Sequence, residues 1–214
     1  MSETMTRYES DDSPLFHRPG LFQSSLRPEW LVPTDEQCLT WWDRYDMPEH
    51  IRAHSLVVAR VAGQLAELAR AAGLDVCVQS VRASALLHDL AKHYCILHGG
   101  SHSLIGGAWA MELTGNPVLA MGVTHHIYWP FEINVSRYFM PLAVLYGDKR
   151  AKHENLVSLR ERFEDLLVRY GHTPEIQEKI RWTVEQALLI EERMSTLLGE
   201  DLDAYPFDSG RLVG

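Results

Sequence analysis

Sustained alternation of apolar and polar residues, the mark of a half-buried strand, is missing from these 214 residues. So are internal repeats and low-complexity blocks, which excludes sandwiches, barrels and solenoids. Cysteine is scarce: Cys38, Cys77 and Cys95 are far apart and odd in number, so they form neither a disulfide framework nor a zinc-finger spacing. No apolar run approaches the ~20 residues that span a bilayer. Met1 to Asp12 is polar and acidic, without an apolar signal core. Positive charge is outnumbered, 20 Lys and Arg against 29 Asp and Glu, for a net charge of -9. That excludes bulk nucleic-acid or anionic-membrane binding. The expectation is a reduced cytoplasmic protein with no membrane partner.

Helical signals are present instead, in a chain long enough for one domain with a sizeable core. Residues 1–33 read as a tail or arm with four prolines (Pro14, Pro19, Pro28, Pro33), whose Leu21, Phe22, Leu26, Trp30 and Leu31 are expected to pack on the body. Residues 34–200 read as the helical body and 201–214 as a C-terminal tail. Thr34-Asp35-Glu36-Gln37 has the form of a capping box, predicting a short helix to about Tyr45. Pro48-Glu49 opens the next, where Ile51, His54, Val58, Val61, Leu65 and Leu68 recur at helical spacing up to Gly73. Further helices are expected from about Val76 to Lys92, His102 to Leu113, Val118 to Ile127, Arg137 to Ala151, Leu156 to Tyr170 and Pro174 to Leu198. The class is all-α, a single-domain bundle. The apolar faces of the last two helices could support a homodimer.

Into this apolar pattern the sequence places His88-Asp89, within Leu86-Leu87-His88-Asp89-Leu90-Ala91-Lys92. Burying an unpartnered carboxylate costs several kcal/mol or more, so the pair needs a neutralising group, and a divalent metal supplies one. His54 shares the apolar stripe of Ile51, Val58 and Val61, and His102, His125, His126 and Asp148 lie downstream. Each has a plain alternative. A lone inward His is usually a hydrogen-bonded core residue. Asp89 could pair with Lys92, and Asp148 with Lys149 or Arg150. His102 could be solvated at a helix start, and His125 and His126, being adjacent, cannot both point one way. Together these alternatives require polar residues on four helices to be independent accidents, whereas one metal centre accounts for all of them. Imidazole and carboxylate donors suit Mn, Fe, Co, Ni, Zn and, with more oxygen, Mg.

The ordered set resembles the HD superfamily of metal-dependent phosphohydrolases. His54-Ser55-Leu56-Val57-Val58-Ala59 is similar to its first ligand helix, and Leu86 to Lys92 to its His-Asp-x-x-Lys element. Ser101-His102 with Gly106-Gly107-Ala108 resembles the His-then-Gly-Ala helix of dinuclear members. Val123-Thr124-His125-His126 resembles the downstream His, and Tyr146-Gly147-Asp148-Lys149-Arg150 the final Asp. The resemblance spans about Pro48 to Tyr170, and the five-element pattern is similar to that of the small hydrolases of dinucleoside tetraphosphates and their neighbours, with the subclass left open. The Gly-Tyr-Pro element of the cyclic di-GMP phosphodiesterases is not supplied by Tyr128-Trp129-Pro130.

The resemblance implies an HD-type bundle holding one or two divalent ions (Fe, Mn, Zn, Ni, Co or Mg). His54, His88, Asp89 and Asp148 would hold the first. Asp89 would bridge to a second, held also by His102 and by His125 or His126, with His126 preferred. Asp89 and Lys92 would be catalytic, and Lys92, Lys149 and Arg150 would face substrate phosphate. The implied function is hydrolysis of a nucleotide or other small phosphate ester or anhydride through a metal-activated water. His93 or the unused His of the 125/126 pair could protonate the leaving group, a loop position being the plain alternative for His93, and Tyr128, Trp129 or Phe131 could stack on a base, with lid packing as the plain alternative. The alternative is a non-catalytic metal-containing module that senses a nucleotide.

Overall fold

The protein is described by a computed structural model covering residues 29–207. Helix α1 (Asp35–Arg44) starts at its capping box: the Gln37 N–H donates to Thr34 Oγ1 at 3.3 Å, and the Thr34 N–H to Gln37 Oε1 at 2.9 Å. Helix α2 (Glu49–Ala71) buries Ile51, His54, Val58, Val61 and Leu65 along the expected stripe, and Gly73 follows it with φ +88°. Helix α3 (Val78–Leu87) packs along α2, and Trp42 of α1 donates its indole N–H to Leu86 O at 2.9 Å.

The expected helix to Lys92 ends early. Backbone donors now reach three residues back rather than four: His88 N–H to Ala85 O, Leu90 N–H to Leu87 O, and Lys92 N–H to Asp89 O. The chain is overwound through His88–Ala91, then restarts as α4 (Lys92–His98), a helix beyond those expected from the sequence.

Ser101 caps α5 (His102–Thr114), and Asn116 caps α6 (Pro117–Thr124) by accepting from the N–H groups of Val118 and Leu119. Helix α6 stops at Thr124, so His125 is its C-terminal cap rather than a helical residue. Helix α7 (Phe139–Arg150) leads into a two-residue antiparallel ladder, β1 (Ala151–Lys152) with β2 (Asn155–Leu156), turned at His153 with φ +54°. Leu156, expected to open a helix, lies in this hairpin instead. Helix α8 (Leu159–Tyr170) begins at the Ser158–Glu161 capping box, and α9 (Pro174–Leu198) follows.

Helices α2, α3, α6 and α7 enclose the core, with α5 against α6, and α9 against α7 and α8. Two glycines set close approaches. A Cβ at Gly107 would strike the Thr124 side chain, and one at Gly147 would lie 3.1 Å from the Val58 carbonyl oxygen. The second brings α7 onto α2, and with it Asp148 toward His54. Of the expected C-terminal tail, Leu202 and Phe207 are buried against the body. At the other end Leu31 N–H donates to Thr114 O, and Pro33 O accepts from Gln79. The remainder of the expected arm, with Leu21, Phe22 and Leu26, lies outside the described residues. No helix among the described residues is long and apolar enough to cross a membrane.

Candidate metal centre

Helices α2 and α7 and the overwound turn after α3 bring four side chains together. His54 Nε2 lies 3.0 Å from Asp148 Oδ1 and 3.9 Å from Asp89 Oδ2; His88 Nε2 lies 3.4 Å from Asp89 Oδ2 and 3.8 Å from Asp148 Oδ1. A second group forms on the other oxygen of Asp89. His102 Nε2 is 3.3 Å and His126 Nε2 3.6 Å from Asp89 Oδ1, and the two imidazole nitrogens are 3.2 Å apart. Asp89 therefore offers one carboxylate oxygen to each group. Donors bound at 2.0–2.1 Å to one ion sit roughly 3.0–3.4 Å from one another; four of these separations fall in that range, and the others, at 3.6–3.9 Å, lie a few tenths of an ångström beyond it.

The ring orientations follow from backbone carbonyls. His88 Nδ1 lies 2.7 Å from Ala85 O and His126 Nδ1 2.7 Å from Val123 O. A carbonyl only accepts, so each Nδ1 carries a proton, and in the neutral ring that metal binding requires each Nε2 presents a lone pair. His88 Nε2 and Asp89 Oδ1 are buried and have no hydrogen-bond partner. Two acceptors left facing each other's group in the interior are costly, and a cation is the species that satisfies both. These His/Asp groups could thus hold metal ions.

Two ammonium groups complete the electrostatics. Lys92 Nζ is 2.6 Å from Asp89 Oδ2, and Lys149 Nζ 2.7 Å from Asp148 Oδ2. Burial alone would raise both carboxyls. His88, His102 and Lys92 outweigh it at Asp89, and Lys149, His54 and Arg162 do so at Asp148, so both stay well below the usual carboxylate range. Burial, with His88 nearby, pushes His126 down to about 3, and burial also lowers His54 against its bond to Asp148. At His88 burial is outweighed by Asp89 and Asp148, and its value rises.

These shifts have a testable sign in chelator-treated protein. A histidine neutral in the fold but ordinary in the unfolded chain lets the unfolded state take the proton first. The contributions of His126 and His54 are therefore fully present above about pH 6.5. For His126 the contribution is lost as pH falls from there toward about 3. His88 has the opposite sign: its contribution is present below the unfolded value and lost as pH rises through the folded one. Two of the three lose stability in acid, so Tm should fall between pH 7 and pH 5. His126→Gln should shrink that fall when scanned by differential scanning fluorimetry; an identical slope in the variant would count against this reading.

The structure separates the two adjacent histidines. His126 enters the second donor group, whereas His125 turns its ring edge onto Trp129 and Phe131, at 5.5 and 5.6 Å between centroids. Arg150 is not brought to the cluster. Its guanidinium faces the other way, to Leu202 O at 2.7 Å, Val157 O at 2.7 Å, Tyr146 and Glu191. The i+2 step along α7 from Asp148 rotates it to the opposite side of the helix. Lys149 is at the cluster but buried, held by Asp148 and by the His126 carbonyl oxygen at 3.3 Å. His93 is half-buried beside Lys92 and belongs to neither donor group.

Trp129 is fully buried, with its indole N–H on Glu132 O, so it is unavailable for stacking on a base; Phe131 packs against it, and Tyr128 is exposed beside Trp182. Two α8 residues outside the expected site set also bear on the centre: Arg162 helps to lower the Asp148 carboxyl, and Tyr170 helps to raise the Lys92 ammonium.

Over 80 residues, 36% of this chain, the sequence is 35% identical to ribonuclease Y of Rubrobacter xylanophilus. The match covers 15% of that relative's length. No family model matches the chain, and no solved structure does.

Proposed function

We propose that this chain is a metal-dependent phosphohydrolase of the HD type, acting on a small phosphorylated substrate, a nucleotide or another phosphate ester or anhydride. The observation that carries the reading is the division of Asp89 between two donor groups, with Asp89 Oδ1 and His88 Nε2 buried and unpartnered. His54, His88, Asp89 and Asp148 would hold one divalent ion, and Asp89, His102 and His126 a second. When bound, such ions supply Lewis acidity toward phosphate oxygen and lower the pKa of water. The ring anchors at Ala85 O and Val123 O fix the ligand nitrogens before binding, which limits reorganisation. Lys92, with about a third of its side chain exposed (36%), is the ammonium that can leave Asp89 for a phosphate oxygen. His102 is also partly open to solvent (26%), so the substrate side of the cluster lies between these two residues.

Similarity to a ribonuclease supports hydrolysis at phosphorus, and favours as a second reading the phosphodiester of a short oligoribonucleotide. The net charge of -9 supports the small substrate over a long polyanion. Protein purified without chelator should contain a first-row divalent metal by elemental analysis. Nucleotides, dinucleoside polyphosphates and a short oligoribonucleotide should then separate the readings by product formation that chelator abolishes and added metal restores. Thermal stabilisation by nucleotides without product, across Mn, Fe, Co, Ni, Zn and Mg, would overturn the enzymatic reading in favour of a sensor.

A further inference from the structure

Helix α5 is covered on one side. Ser103, Gly106, Gly107, Ala110 and Thr114 form its buried stripe, and Gly107 lies against Thr124 of α6. On the other side Leu104, Ala108 and Met111 recur at helical spacing and share one face. All three are exposed, Leu104 by 62% and Met111 by 43%. Leu97, near the end of the preceding helix α4, is exposed by 64%. Single apolar side chains on a surface need no explanation, whereas a row of them marks a contact. This row has two defined ends. One is His102, which together with Lys92 forms the part of the donor cluster open to solvent. The other is Gly115, where the chain arrives from its N-terminal side. There Leu31 N–H donates to Thr114 O at 3.0 Å, Asn116 Nδ2 donates to Leu31 O at 3.4 Å, and the Glu29 carbonyl oxygen lies beside Gly115.

Residues 1–28 of the sequence precede that point, and they carry Leu15-Phe16, Leu21-Phe22 and Leu26. Their reach fits the row. Leu104 lies about 16 Å along the helix axis from Gly115, and the chain from Phe22 to Glu29 can extend to about 23 Å. A segment tethered this close meets the row at an effective concentration on the order of a millimolar, which a second copy or a separate partner would have to exceed. We propose that residues 15–26 lie along the open face of α5 as a strap, with Leu26 on Met111, Leu21-Phe22 on Leu104 and Leu97, and Leu15-Phe16 at the opening between Lys92 and His102. The chain's own N-terminal segment would then border the entrance to the donor cluster. The inference stands on the apolar row and the tether, and it holds whether or not the cluster binds metal.

Photo-crosslinking of the full chain tests it, with benzoylphenylalanine in place of Phe22 in one preparation and of Phe16 in another. Irradiated in dilute solution, both should give a product with the mass of a monomer. Mass spectrometry should map the crosslinks to residues 97–111 from position 22 and to residues 92–102 from position 16. Leu104→Asp, at an exposed residue where substitution spares the fold, should lower the yield from position 22 about tenfold, the loss expected when one leucine is no longer buried. Met111→Asp should act in the same direction, and helical circular dichroism should be unchanged in both. Leu188→Asp, at a residue 49% exposed on α9, should leave the yield as it was. Crosslinks that join two chains would assign the row to a second copy and overturn the proposal. Crosslinks to other surfaces, no crosslinks, or an equal loss in Leu188→Asp would overturn it as well.

Discussion

Asp89→Ala should leave a folded helical protein with no bound divalent metal and at least roughly 10³-fold less hydrolysis, the scale on which preorganised electrostatic and metal groups contribute. The expectation exceeds that for any other single ligand because Asp89 belongs to both donor groups, through Oδ2 to His54 and His88 and through Oδ1 to His102 and His126. Removing His126 subtracts one donor from one group, whereas removing Asp89 subtracts the shared one. It also frees Lys92, whose ammonium sits 2.6 Å from Asp89 Oδ2. The fold should survive, since the surrounding core of Val58, Leu86, Leu87, Leu90 and Val123 is apolar and independently packed. Circular dichroism, elemental analysis and turnover on one preparation check all three parts. Full activity in a metal-free variant would refute the mechanism.

Arg150→Ala should act on stability instead. Its side chain is buried and donates to Tyr146, Glu191 and the carbonyl oxygens of Val157 and Leu202, tying α7 to the residue after β2, to α9 and to the segment after α9. Removing one partner of a buried ion pair costs about 3–5 kcal/mol, because Glu191 and the carbonyls lose their donor together. Burial already lifts the Glu191 carboxyl above its ordinary value against the pull of Tyr146 and Arg150. Urea denaturation should show a large fall in midpoint, while metal content of the remaining folded protein holds. Near wild-type stability coupled to weakened phosphate binding would restore the substrate role implied by sequence resemblance.

The contrast between these residues shows what sequence carries. The His54 stripe, the capping box at Thr34 and the all-α class were legible because each depends on periodicity or on bonds within four residues. The set His54, His88, Asp89, His102 and Asp148 was legible through its order along the chain. The choice between His125 and His126 depended on where α6 stops, which Thr124 and the Trp129–Phe131 packing decide. Arg150 depended on which side of a helix faces the cluster, and local pattern does not encode that. The break after Leu87 was hidden because Leu86 to Lys92 reads as continuous helix; only the three-residue hydrogen bonds reveal the overwinding that lets His88 and Asp89 meet at 3.4 Å.

The central claim is that these side chains converge on cations. The most direct measurement is anomalous diffraction from crystals of this protein soaked with Mn²⁺, collected on both sides of the metal absorption edge. The account predicts a peak among the Nε2 atoms of His54 and His88 and the near oxygens of Asp89 and Asp148, and a second between Asp89, His102 and His126. Well-ordered side chains with no anomalous density among them at saturating Mn²⁺ would contradict it.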